Sequence, residues 1–185
     1  MMLNREKKIM ETQRLILRSP QVEDVSAIFK ICNSDNVLRY NAMGKVSTEE
    51  LTRRFESESA DHWTFHLVIK GSEEVIGAVF IEPDMLRYKV KAVSVAYYLD
   101  EKETQKGYMY EALNELLHYI FNVLEMDVVS ARVFSANVAS VRLLKKLGFQ
   151  HEGTLRHAVC GYGDNIHEDL LFSLLKSEFN CIKKL

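Results

Sequence analysis

Apolar residues recur along this chain with two periods, near two and near three and a half residues, and each change of period marks the passage from strand to helix. Arg14-Leu-Ile-Leu-Arg18 alternates as a short strand after a polar lead over residues 1–10, and Ser19-Pro20 ends it. Val22, Val25, Ile28, Phe29 and Cys32 then fall at helical spacing, and Asn33-Ser-Asp-Asn36 closes that first helix with turn chemistry. Ser47-Thr-Glu-Glu50 has the form of a capping box, which predicts a second helix from about Thr48 to Ala60. Trp63, Phe65, Leu67 and Ile69 alternate with Thr64, His66 and Lys70 as a half-buried strand. Gly71-Ser72 turns it back into Val75–Ile81, a hairpin.

Pro83 and Asp84-Met-Leu-Arg87 leave the sheet, and Lys89–Leu99 returns as the central strand with Val93, Val95, Tyr97 and Leu99 on one face. A third helix carries a continuous stripe of Leu113, Leu116, Leu117, Ile120, Phe121 and Leu124. Val128–Phe134 is again a strand, so strand, helix and strand form a crossover whose strands should be parallel and whose hand should be right. Asn137 caps a short helix packed through Val141, Leu144 and Leu147 and stopped by Gly148. Phe149–Ala158, a loop over Cys160–Asn165, and Ile166–Leu174 finish the sheet as an antiparallel pair, leaving residues 176–185 as a tail.

Composition narrows the functional classes. At 185 residues, 47% hydrophobic and 27% charged, the chain fits one globular domain. A net charge of −2 carries no basic footprint for nucleic acid. Cys32, Cys160 and Cys181 are widely spaced, odd in number and without a C-x-x-C pair, so neither a disulfide framework nor a metal site is expected. With no signal-like segment and no long apolar run, a cytoplasmic protein that spans no membrane is the expectation.

The candidate chemistry begins at Glu103-Thr-Gln-Lys-Gly-Tyr-Met-Tyr-Glu-Ala-Leu113, where the central strand passes into the third helix through a turn with one glycine. The first amides of a helix lack intrahelical partners and carry the positive end of the macrodipole, so a pyrophosphate can rest there. Gly107 would let the backbone approach the anion, and Lys106 could add a charge; an ordinary surface turn with an exposed lysine explains the same residues. The turn lacks G-x-x-x-x-G-K-[ST], which removes a nucleoside-triphosphatase. About thirty residues on comes Asn137-Val-Ala-Ser140-Val-Arg-Leu-Leu-Lys-Lys146-Leu-Gly148-Phe149, closing on Glu152-Gly153.

This pair of stretches, with Thr12-Gln-Arg14-Leu-Ile-Leu-Arg18 and Glu23-Asp24 before it, resembles the GNAT family of acetyl-CoA-dependent N-acetyltransferases, and within it the RimJ/RimL-like branch. Family members usually carry Arg or Gln and then Gly-x-Gly-x-Gly/Ala across the turn; this chain has Thr104, Gln105, Lys106, Gly107, Tyr108 and Met109. The resemblance implies an α/β (α+β) fold, a mixed and mostly antiparallel sheet of about seven strands flanked by about four helices, with a splayed parallel pair at its centre. It implies acetyl-CoA as co-substrate and a primary amine as acceptor, with room for a homodimer and no part for metal, membrane or direct nucleic-acid binding.

Residue by residue, the resemblance implies that Tyr97, Tyr98 and Leu99 offer backbone groups to the pantetheine arm and orient the thioester carbonyl. Gln105, Lys106, Gly107, Tyr108, Met109 and Tyr110 would form the phosphate cradle, and Lys146 would lie near the nucleotide end. The Asn137 side chain would contact the arm, or simply cap its helix. Ser140 would hydrogen-bond the departing sulfur as the catalytic residue, or fill a small polar position. Arg39, Tyr40 and Asn41 would border the acceptor.

A general base is not evident, because the usual carboxylate positions are Ser94 and Val159; His157, Glu152 and His118 remain for a relay. A terminal α-amine with a pKa near 7.7–8.0 is roughly one-tenth neutral at pH 7, a lysine-type amine less than one part in a thousand, which favours an α-amino or other low-pKa amine, deprotonated through water, over a fully charged polyamine. A small amine is the runner-up acceptor, and a GNAT-shaped acyl-CoA-binding module with little or no catalytic activity is the alternative to an enzyme.

Overall fold

Each strand of a sheet covered on both faces must bury both of its side-chain rows, and the middle of this sheet is built that way. The computed structural model describes residues 9–42, 44–56 and 63–182. Eight strands, β1 (Ile9–Glu11), β2 (Leu15–Arg18), β3 (Trp63–Ile69), β4 (Val75–Pro83), β5 (Ala92–Leu99), β6 (Val128–Phe134), β7 (Gln150–Cys160) and β8 (Ile166–Leu175), lie in the order β1-β2-β3-β4-β5-β6-β8-β7. Among the described residues only β5 and β6 pair in parallel; the other neighbours are antiparallel. Six α-helices occur among the described residues: α1 (Val25–Cys32), α2 (Asp35–Leu38), α3 (Thr48–Glu56), α4 (Tyr108–His118), α5 (Val138–Lys146) and α6 (Lys176–Ile182).

The stripe on α4 decides which face it covers. Ala112, Leu113, Leu116 and Leu117, continued by Ile120 and Phe121 in a π-helical turn over Tyr119–Val123, join Leu15, Leu17, Phe65, Leu67, Val79, Ile81, Val93 and Val95 in the main core. Fully burying each such side chain contributes about 1.5–3 kcal/mol, far more than helix propensity does. On the opposite face a smaller cluster forms from Ile28 and Cys32 of α1, Leu51 of α3, and Val46, with Phe55 and Tyr98 packed against it.

Several expectations are corrected. Ile9 and Met10 do not belong to a polar lead: Met10 is buried, and Ile9–Glu11 pairs with β2 as an edge strand. Residues 176–182 are not a tail but α6, which packs Phe179 against Phe121 with ring centroids 5.0 Å apart. Asn33-Ser34 does end α1, yet Ser34 also caps a further short helix, α2, through the Val37 amide. The expected helix to Ala60 is described as far as Glu56, with its Ser47 cap accepting from the Glu50 amide at 3.1 Å, and residues 57–60 lie outside the described residues. β4 keeps Pro83 at its last position, paired with Val93, and β5 begins at Ala92 because Lys89 takes a positive φ of 56°.

His66 is the largest departure. Alternation put it on a solvated face, but helices cover that face and the imidazole is fully buried. Its Nδ1 lies 2.6 Å from Asp24 Oδ2, and Arg18 grips the same carboxylate with two contacts of 2.7 Å. Burial alone would push the Asp24 pKa up; the hydrogen bonds from Arg18, His66 and the Gln21 amide win and hold it well below the usual carboxylate range.

Candidate active site

The sheet opens at its centre. β5 and β6 pair from Ala92↔Val128 only to Val95↔Ala131. Beyond that level Ala96–Leu99 stays bound to β4, and Arg132–Phe134 stays bound to β8. Each strand follows its outer neighbour, so the two part and leave facing edges with unused backbone donors and acceptors, which a chain rich in amides can satisfy.

At the head of this notch the Asp100 side chain caps a 3₁₀ turn over Glu101–Glu103 through the Lys102 amide, and the chain enters α4 through Gly107 with φ 85°. Gln105 also takes a positive φ, 61°, so the turn holds a strained non-glycine residue as well as the glycine. The amides of the first turn of α4 have no helical partner, the chemistry that an anion would need at this turn. Two tyrosines wall it, each under a cation: Arg14 Cζ lies 4.4 Å from the Tyr108 ring centroid, and Lys146 Nζ of α5 lies 4.4 Å from that of Tyr110. Met109 turns away into the main core, so only its backbone faces the cradle. Lys106 is engaged, with Nζ 2.9 Å from both oxygens of Glu103.

Across the notch, Asn137 caps α5 by accepting from the Ser140 amide at 3.1 Å, which occupies its oxygen; its side-chain NH₂ makes no hydrogen bond among the described residues. Ser140 stands half-buried in the first turn. Tyr97, on the open stretch of β5, is directed to this same face, since it pairs with Val79 of the main core. Its hydroxyl is buried without a well-formed hydrogen bond. Burial raises its pKa to about 12, and the neighbouring Ser140 hydroxyl draws it back only in part. A protonated phenol next to Ser140 and lacking a partner fits an arm that brings an acceptor atom there.

Tyr98 faces the opposite side, tilted on Phe80 at 5.4 Å, and burial followed by the neighbouring Cys32 drives its pKa well above the ordinary phenol value. Beyond the notch on that same side Phe134 stacks on His167 at 4.3 Å and 10°. Gly161 closes over the imidazole: a Cβ there would lie 2.8 Å from His167 Cδ2 and Nε2. His167 pairs in register with Val159, where the expected carboxylate is missing. Ser94 Oγ donates at 3.5 Å to the Ser130 carbonyl.

The other candidates are spread out. Arg39, Tyr40 and Asn41 form the turn that ends α2, exposed to half-buried. His157 sits with φ 55° in a bulge of the exposed outer strand β7, and His118 lies against Phe179, 5.0 Å between centroids. Glu152 is held by Arg87 and Ser173. Sequence reasoning missed Arg14 and Glu111, which meet across 97 positions, and the side chains of Tyr97, Phe80, Phe134 and His167. Only the alternation along β5 could have pointed to any of them, by setting Tyr97 and Tyr98 on opposite faces.

A sheet split at its central parallel pair beside a helix N-terminus is the arrangement in which the comparisons with known proteins place an acetyltransferase domain. The chain belongs to the GNAT acetyltransferase family: the family model for the acetyltransferase (GNAT) domain matches residues 14–150. The uncharacterized N-acetyltransferase YoaA of Bacillus subtilis (strain 168) is 30% identical over 156 residues, 80% of this chain and 86% of that protein. Among solved structures, a GNAT-family acetyltransferase from Bacillus anthracis superposes with TM-score 0.82 at 19% identity, over 92% of this chain and 100% of that one. The ribosomal-protein-S5-alanine acetyltransferase of Vibrio fischeri gives 0.80 at 20%, covering 93% and 98%. The spermidine N-acetyltransferase of Vibrio cholerae, in complex with CoA and spermine, gives 0.79 at 21%, covering 90% and 98%.

Proposed function

We propose that this protein moves an acetyl group from acetyl-CoA directly to a primary amine, a protein N-terminal α-amine before a small amine. The observation that carries the reading is the end of β5–β6 pairing at Val95↔Ala131. The unpaired edge of Ala96–Leu99 can take the pantetheine amides as a strand takes a neighbour, while the amides around Gly107 receive the diphosphate and Lys146 meets the nucleotide end. In this reading the backbone of Tyr97–Leu99 orients the thioester carbonyl, and Arg39–Asn41 border the amine. The amine nitrogen bonds to the acyl carbon, the C–S bond breaks, and the electron pair leaves on sulfur. Ser140, with the Tyr97 hydroxyl beside it, hydrogen-bonds that sulfur and helps it leave, and the thiolate takes its proton from water. The amine proton passes to water on the opposite face, where an acceptor of pKa near 7.7–8.0 needs little help.

The RimJ/RimL-like branch, a cytoplasmic setting and a homodimer belong to the same proposal. Free thiols at Cys32, Cys160 and Cys181 suit a reducing compartment. Among the described residues no helix is long and apolar enough to cross a membrane. The test is thiol release from acetyl-CoA against a panel of N-terminal peptides and small amines, with Ser140→Ala beside the wild type. Turnover is expected, falling more than tenfold in the variant at unchanged CoA affinity. A wild-type rate in the variant removes Ser140 from the chemistry. The tied-up Lys106 and the absence of a carboxylate at Ser94 and Val159 favour one second reading, an acyl-CoA-binding module. Saturable CoA binding with no release on any amine would select it.

A further inference from the structure

We infer that Arg14 is a positioning residue for the phosphate cradle, holding the turn from behind so that its amides face the donor; this rests on the reading that the diphosphate of acetyl-CoA sits at Gly107. Arg14 lies at the foot of β2, and its reach is wide. Its amide donates to Glu111 Oε1 at 2.7 Å and its Nε to Glu111 Oε2 at 2.7 Å. Its Nη1 donates to the carbonyl of Lys106 at 3.1 Å, its plane covers Tyr108, and its Nη2 lies 3.4 Å from where a Cβ of Gly107 would stand. Thr12 completes the clasp by donating to Glu111 Oε1 at 2.5 Å. One guanidinium and its turn thus touch residues 106, 107, 108 and 111, the whole entry of α4.

The direction of the grip matters. The carbonyl of Lys106 and the N–H of Gly107 belong to one planar trans peptide and point opposite ways. Drawing the carbonyl toward β2 therefore aims the amide at the far side, where the notch opens. The turn needs an outside restraint, because Gln105 holds a left-handed conformation that a residue with a Cβ disfavours. Arg14 also covers a charge problem. Glu111 stands in the first turn of α4, close to the phosphate site, and its carboxylate would repel the donor if left alone. Since Lys106 is occupied by Glu103 and Arg14 by Glu111, the cradle works through aimed amides more than through free cations.

The test compares CoA with pantetheine, which lacks the diphosphate, on wild type, Arg14→Gln, Arg14→Lys and the double variant Arg14→Gln/Glu111→Gln. Dissociation constants come from calorimetry for CoA and from chemical-shift titration for pantetheine. Arg14→Gln is expected to weaken CoA at least tenfold and leave pantetheine within twofold. Arg14→Lys keeps the charge but cannot hold Glu111 and the Lys106 carbonyl together, so the same selective loss is expected in milder form. The double variant removes both charges and should stay weak. Full recovery in it would mean that Arg14 merely masks Glu111, and would overturn the aiming role. Equal losses for both ligands, or CoA binding within twofold of wild type in Arg14→Gln and Arg14→Lys, would overturn the proposal. A wild type that binds no CoA would instead sink the cofactor reading on which it rests.

Discussion

Replacing Tyr97 with phenylalanine should move stability and function in opposite directions. The hydroxyl is buried without a well-formed hydrogen bond, and leaving a buried polar group so costs about 1–3 kcal/mol. Phenylalanine removes that oxygen and keeps the ring packed against the main core. With the Ser140 hydroxyl offsetting part of the cost, Tyr97→Phe without ligand should be equal to wild type or about 1 kcal/mol more stable, roughly 2–4 °C in Tm. With CoA present the order should reverse. Ligand stabilisation grows as RT ln(1 + [L]/Kd), and the variant lacks the donor that the sulfur end of the arm would meet. Thiol release at saturating acetyl-CoA should fall at least tenfold.

The same residue has an alkaline signature. Its pKa is raised by burial to about 12 from an ordinary value near 10. Above pH 10 the unfolded chain ionises first, so wild-type stability should decline between pH 10 and 12, and Tyr97→Phe should lack that part of the decline. Urea unfolding with and without CoA at pH 8, then across pH 9–12, measures all of this. A variant more than about 1 kcal/mol less stable without ligand would mean the hydroxyl makes a structural hydrogen bond; a wild-type rate would mean that it does not face the sulfur.

Asp24→Asn leaves Arg18 and the buried His66 without their carboxylate, and a loss of about 3–5 kcal/mol is expected in urea unfolding. Because the folded pKa of Asp24 is depressed, its contribution is present above the unfolded value near 3.9 and lost as pH falls below it; acid titration of Asp24→Asn should lack that limb. Gly77→Ala would set a Cβ 2.4 Å from the Tyr98 carbonyl oxygen and 3.0 Å from Leu99 Cα, so β5 must shift: a loss of about 1–3 kcal/mol and weaker CoA binding are expected, with calorimetry as the check.

What was legible in the sequence was periodic or local. The run Val128–Phe134 and the stripe from Leu113 to Phe121 each repeat one pattern long enough to leave a single reading, and the crossover they frame brought β5 and β6 side by side. Asn137 and Gly148 announced the ends of α5 because caps depend on one residue and its neighbours. Ile9–Glu11 was unreadable for the converse reason: three residues are too short for a period, and pairing with β2 decides them. His66 misled because alternation tells which face a side chain takes and not what covers that face. The clasp of Arg14 on Glu111 was beyond any local window, since the first turn of a helix already gives a carboxylate an adequate reason to be there.

The sheet face that carries Tyr98 and Phe134 was hidden for that same reason, and its make-up bears on the acceptor we propose. Phe80 tilts on Tyr98 and Phe134 stacks on His167, two aromatic pairs drawn from four different strands. Two of the acidic groups there are paired, Asp169 with Arg132 at 2.6 Å and Asp84 with Arg87 at 2.9 Å, while Glu152 shares that same Arg87 at 3.5 Å and accepts from Ser173. Glu82 is exposed beside the closed end of the notch, in register with Ser94. A polyamine with several charges needs several unpaired carboxylates, whereas a chain terminus brings one amine and an apolar side chain to meet aromatic rings. A short peptide with a free small N-terminal residue should therefore exceed spermidine in kcat/KM at pH 7, and the margin should narrow above about pH 8, where the α-amine is already mostly neutral while the polyamine is still losing its protons. Spermidine turning over faster at pH 7 would refute the preference for an α-amine and point to Glu82 as the place where a second ammonium is held.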